Sequence, residues 1–353
     1  MKNRNSLGTR SKVTIGMDTS DKKNAVCILR NDTGEVIKRI SVANTPEGMT
    51  AFFSRFSPTS VAFEVGCHSP WINDVLTGLG HDTVVANPRQ VALISRSIRK
   101  TDKHDAELLA RLLRADRELL RAIKHRTRDG RIDLALLRTR NRLIGTRTGL
   151  IASIRGTVKS FGERIRGMDA SVFHKHAAQD IPEDLLPQLE PLLEVLTTLA
   201  EQINSVNKEV TRLCREKYPE TTLLRQIPRV GEITSLTFLL TIEDPERFEK
   251  SRDVGAYVGL IPRKAESGDR SPELPITKAG DRELRRLLVQ CAHQVIGKLG
   301  PPSDLKDWGL ALAARGKKQA KRRAVVAVAR KLAVLMHRLW VTGEVYRPRR
   351  DVA

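Results

Sequence analysis

The chain has 353 residues, with 62 Lys and Arg against 41 Asp and Glu, a net charge of +21, and 40% hydrophobic side chains. That hydrophobic share excludes a disordered chain, no apolar run approaches the ~18 residues of a membrane span, and 4% aromatics cannot furnish an extended base-stacking surface. Four scattered cysteines without a C-x-x-C pair, and a polar start (MKNRNSLGTRSK), lead us to expect a basic cytoplasmic protein with reduced thiols and no membrane partner.

Residues 13–18, VTIGMD, read as a buried strand ending in Asp18. Segments 24–30 and 36–42 read as two more strands joined by a hairpin turn, NDTGE. Thr45 is placed to cap a helix that Pro46 opens and that runs to about Phe56. SVAFE, residues 60–64, is a short strand ending in Glu64; a helix from Ser69 and Pro70 closes at Gly80, and 82–86 form a fifth strand. After Thr101 a strong helix carries Asp102 and Asp105 three residues apart on one face.

Farther on, Leu137, Ile144, Ile151, Val158 and Ile165 recur every seven residues, with Ile154 and Phe161 between them. Leu189, Leu192, Leu196, Leu199, Ile203, Val206, Val210 and Leu213 then alternate spacings of three and four. That is a heptad seam, which suits either a hairpin within one chain or a junction between chains. From residue 219, LLRQIPRVGEITSLTFLL reads as helix, tight turn and helix, and a Gly- and Pro-rich loop precedes a helix starting near Asp281. A basic amphipathic helix over about 317–341 has Val325, Val328, Leu332, Leu335 and Leu339 on its apolar side. The fold class expected is α/β followed by mostly α, divided as 1–115, 116–217 and 218–353.

The charge is segregated. Residues 89–166 carry 21 basic and 8 acidic side chains, and residues 315–350 carry 12 and 1. Such blocks suit a polyanion whose counterions are displaced on binding, so nucleic acid is the expected partner. Asp18, Glu64, Asp102 and Asp105 have the spacing of a ribonuclease-H-like site, and four converging carboxylates call for Mg²⁺ or Mn²⁺. The IPRVG turn, with Arg229 and Gly231, has the form of a helix-hairpin-helix phosphate clamp. Ser267 lies in a loop beside Arg263, Lys264 and Arg270, cations able to stabilise the anion formed when a hydroxyl attacks phosphate. No His adjoins it.

GMDTS, VAFEVG, TDKHDAELLARLL, IPRVG, GLIPRKAESG and ITKAGDRELRRLL, in that order, resemble the DEDD transposases of bacterial insertion sequences. That group includes the Piv/MooV DNA invertases and the bridge-RNA-guided recombinases. The resemblance spans about residues 12–340. It implies a RuvC-like domain whose Asp18, Glu64, Asp102 and Asp105 hold Mg²⁺, a coiled-coil middle, and a C-terminal transposase domain with Ser267 as the covalent nucleophile. Ser271 is a rival four positions on. Also implied are donor and target double-stranded DNA, a non-coding guide RNA encoded by the element, and a homo-oligomer, dimer or tetramer, in which one protomer's carboxylates serve another's serine. Activity would bring the protein to the bacterial nucleoid. Two other readings are weighed beside this one: a RuvC-type junction-resolving endonuclease that needs no serine, and a non-enzymatic DNA-bridging protein.

Overall fold

A computed structural model describes residues 12–87, 101–265, 274–316 and 318–349. The chain divides into two compact units, Met1–Thr127 and Arg128–Ala353.

The first unit is built on a five-stranded sheet in the order β3-β2-β1-β4-β5: β1 is Val13–Asp18, β2 Lys23–Arg30, β3 Val36–Ala43, β4 Ser60–Glu64 and β5 Asp82–Ala86. β1 pairs antiparallel with β2 and parallel with β4, and β4 pairs parallel with β5. Alternation along the central strands divides two cores. One face presents Ile15, Met17, Val61, Phe63 and Val85 to helices Pro46–Phe53 and Ser69–Gly78 through Met49, Phe53, Ile72 and Leu76. The first of these helices is capped as expected, Gly48 N–H donating to Thr45 Oγ1 at 3.1 Å, and it ends at Phe53 instead of Phe56.

The opposite face carries small residues, because helix Asp102–Ala115 lies directly on it. A Cβ on Gly16 would fall 2.1 Å from the Ala106 carbonyl oxygen and 2.4 Å from the Ala110 nitrogen. Ala106 and Ala110 pack on Ala25, Cys27 and Leu29, while Leu109 and Leu113 pack on Ala62, Val84 and Ala86. This helix begins at Thr101, whose hydroxyl accepts from His104 N–H at 3.3 Å.

In the second unit, helices Arg128–Ser160 and Leu186–Glu216 form an antiparallel hairpin. Ile154 and Val158 pack with Leu189, Leu193 and Leu196 at one end, while Leu134 and Leu137 pack with Val210, Leu213 and Cys214 at the other. The heptad seam is therefore covered within the chain, with Leu193 and Ala200 buried where Leu192 and Leu199 were expected and are half-buried. The first helix ends at Ser160, Gly162 turns the backbone at φ 87°, and Phe161 leaves the seam at 60% exposure.

Helices Glu232–Ile242, Arg282–Ile296 and Lys318–Thr342 then share a core of Phe238, Leu288, Val295, Val328, Leu332 and Leu339. Four of the five residues expected on the apolar side of the last helix are buried; Leu335 is half-buried. Among the described residues no helix is long and apolar enough to cross a membrane.

Candidate active site and nucleic-acid interface

β1 and β4 run parallel with Met17 opposite Phe63, so Asp18 and Glu64 follow side by side at their carboxyl ends. That edge of an open α/β sheet is where ligand sites gather. Both residues have the parity of Gly16 and Ala62, and so share the face under helix Asp102–Ala115. The helix runs antiparallel to β1. Near its last turn Arg114 Nε donates to the Asn31 carbonyl at 3.0 Å, beside the start of β1, which leaves its first turn at the Asp18 and Glu64 end.

The acid pair in that first turn divides between solvent and sheet. Asp102 is exposed, whereas Asp105 is 7% exposed and its Oδ1 is buried without a hydrogen-bond partner. An orphaned carboxylate oxygen at a sheet edge is costly to bury and suits a hard cation. The donor set therefore fits a divalent ion in chemistry, face and edge.

Among the described residues no three His, Cys, Asp or Glu side chains are gathered closely enough to hold a metal ion, so the carboxylates share this end of the sheet without forming a closed cluster.

Two neighbours were not singled out from sequence. Glu107 is paired with Arg39 at 2.5 Å and Arg111 at 2.7 Å. Burial alone would raise its carboxyl, but hydrogen bonds from both guanidiniums outweigh that and hold it below the usual range. His68, in the loop after β4, accepts at Nδ1 from Trp71 Nε1 at 3.2 Å and has Nε2 at 3.4 Å from Asp21. A Trp close to a His in sequence is too common a pairing to mark such a set in advance.

In the second unit Ser267, Arg270 and the rival Ser271 lie outside the described residues. The base of their loop is described. Pro262 bridges Ile276, Arg263 N–H donates to Pro275 O at 3.0 Å, and Thr277 N–H donates to Ile261 O at 2.9 Å. The exposed Arg263 and Lys264 thus open one side of the loop and help to line a groove of about 970 Å³, whose far wall is helix Lys318–Thr342.

The helix-hairpin-helix expectation is met on one side of the turn only. IPRVG leads into helix Glu232–Ile242 with Gly231 as its N-cap, but the helix before the turn is the single turn Thr221–Leu224. Pro219 and Pro228 leave room for no more. Arg229 is left-handed at φ 72° and its guanidinium donates to the Leu299 carbonyl, so it is engaged by its own chain. Gly231 is exposed, and a Cβ there would touch nothing within 4 Å.

Comparison with known proteins meets this geometry. Residues 15–162 match the IS110-type DEDD transposase family, and residues 221–306 match the transposase IS116/IS110/IS902 family. A putative transposase of Sinorhizobium fredii is 30% identical over 98% of this chain and 88% of its own length. The transposase for insertion sequence element IS1111A of Coxiella burnetii is 29% identical over 83% of each. The pilin gene-inverting protein of Moraxella bovis is 26% identical over 73% of this chain and 72% of its own. With the mixed sheet, its edge carboxylates and the helical second unit, these matches show that the chain belongs to the IS110-type DEDD transposases of bacterial insertion sequences, enzymes that cleave and rejoin DNA.

Proposed function

We propose that the protein recombines DNA through a Mg²⁺- or Mn²⁺-dependent carboxylate site, Asp18, Glu64, Asp102 and Asp105, acting with Ser267 as nucleophile. Donor and target DNA are selected by an element-encoded guide RNA that pairs with both, and the working form is a dimer or tetramer. The observation that carries the metal site is Asp105: a buried carboxylate whose Oδ1 has no partner, on the sheet face and at the strand end where Asp18 and Glu64 sit.

A bound divalent ion would supply charge neutralisation at the phosphodiester. The chain's own residues do the rest. Asp18, Glu64 and Asp105 offer oxygen ligands from two strands and a helix end, and Asp102 joins them from the same turn. The Ser267 Oγ gives up its proton to a carboxylate or water, bonds to phosphorus, and the bond from phosphorus to the departing strand oxygen breaks while that oxygen takes a proton. Arg263, Lys264 and Arg270 flank the serine in sequence and balance the extra charge. The phosphoserine ester keeps the energy of the broken bond, so another strand's hydroxyl reseals it without ATP. Pairing rather than side chains reads the sequence, and the basic segments hold the nucleic-acid backbones.

The test is Asp105→Asn in the full chain, with strand cleavage of a plasmid carrying the element ends as the readout. Cleavage should fall at least a hundredfold, with duplex binding within twofold of wild type. Cleavage within about tenfold of wild type, ~1.4 kcal/mol in barrier, removes the carboxylate site from the mechanism.

A further inference from the structure

The groove beside the serine loop has a composition that duplex binding does not require. Its described lining residues include seven Lys and Arg and no Asp or Glu. Arg252 and Arg263 stand on one side, with Arg322, Arg330 and Lys331 on the other. Between them the floor is apolar: Leu260, Pro262, Ile276, Val326 and the half-buried Trp308. Helix Lys318–Thr342 supplies both parts, since its half-buried Val326 and Val334 line the groove while its Arg322 and Arg330 are exposed.

A paired duplex offers phosphates to such a rim, but it hides its base faces and has nothing to place on the floor. An unpaired nucleotide offers both a phosphate and a planar apolar face. We propose that this groove binds a short unpaired segment, one or two nucleotides, within otherwise paired nucleic acid: phosphates on the Arg and Lys rim, a base against Trp308. The proposal rests on the nucleic-acid function above and names the part of the ligand that this surface takes. The scarcity of aromatics agrees with its scale, because one Trp serves one base and not a long strand. The Lys331 ammonium lies 4.0 Å from the Trp308 ring centroid. A base entering there exchanges a cation–π contact for stacking and leaves the ammonium to a phosphate.

The test uses the full chain and two dye-labelled 24-base-pair duplexes, one perfect and one with a two-nucleotide thymine bulge, compared by fluorescence anisotropy. Wild type should bind the bulged duplex about tenfold more tightly. Trp308→Ala should erase that preference, Trp308→Phe should keep most of it, and Arg322→Gln, at an exposed position that cannot unfold the core, should weaken bulge binding more than duplex binding. The proposal is overturned by a wild type that does not prefer the bulge, or by a preference that survives both Trp308→Ala and Arg322→Gln. A probe displaced by polyglutamate and not by unlabelled bulged duplex overturns it in favour of an acidic protein partner. If wild type binds neither duplex, the nucleic-acid function falls with it; if it binds both equally, only this groove assignment falls.

Discussion

Gly16 ties the packing of the first unit to its candidate site. A Cβ at this position would approach the Ala106 carbonyl oxygen to 2.1 Å and the Ala110 nitrogen to 2.4 Å, where ordinary contact begins at 3.4 Å. Both obstacles are backbone, so no rotamer change relieves them. Gly16→Ala must push helix Asp102–Ala115 off the sheet by about 1 Å, and overpacking of this kind costs about 1–3 kcal/mol. We expect the upper end of that range, read as a lower urea midpoint and faster hydrogen exchange across β1. Asp105 is the residue next to Ala106, so the displacement separates it from the Asp18 and Glu64 edge. Cleavage should fall about a hundredfold, the usual penalty for a misplacement of that size. Gly156→Ala is the control: it lies inside the long helix with nothing within 4 Å of its Cβ, and should stabilise by about 0.5–1 kcal/mol. A Gly16→Ala protein within 0.5 kcal/mol of wild type by the same urea titration, and cleaving within twofold, would refute the reasoning.

Leu196→Ala opens a cavity between the two long helices and should cost about 2–5 kcal/mol, while light scattering returns the wild-type mass; a smaller mass would assign the seam to a junction between chains. Ser267→Ala should abolish both recombination and the protease-sensitive covalent protein–DNA adduct, and Ser271→Ala should retain both. The reverse pattern moves the nucleophile by four residues, and a wild type that never forms the adduct favours the hydrolytic resolvase. Glu107 has a folded pKa below its unfolded value because Arg39 and Arg111 bind its charged form, so the unfolded chain takes up the proton first. Its contribution is complete above about pH 4.3 and lost as pH falls through the folded value. Urea midpoints should therefore drop more steeply on acidification in wild type than in Arg39→Met, and parallel curves would contradict the pairing.

Much of the first unit was legible because its signals are local. Strand period, the Thr45 cap, and carboxylates at strand ends are carried by neighbours in sequence, and β1, β4 and β5 begin and end where the pattern places them. The heptads announced two long helices for the same reason. Which surface each element meets was not legible. Asp102 and Asp105 share a helix turn, yet only once their helix lies on the sheet through Ala106, Leu109 and Ala110 is the second buried and the first left in solvent. The seam could close on itself or on another chain until the antiparallel return of Leu186–Glu216 covered it. The basic groove is the extreme case, since Arg252, Arg263, Ile276, Trp308 and Arg330 meet only after several helices have folded back on one another. Periodicity reports which side of an element is apolar, whereas its partner is chosen by long-range burial, and no local pattern records that.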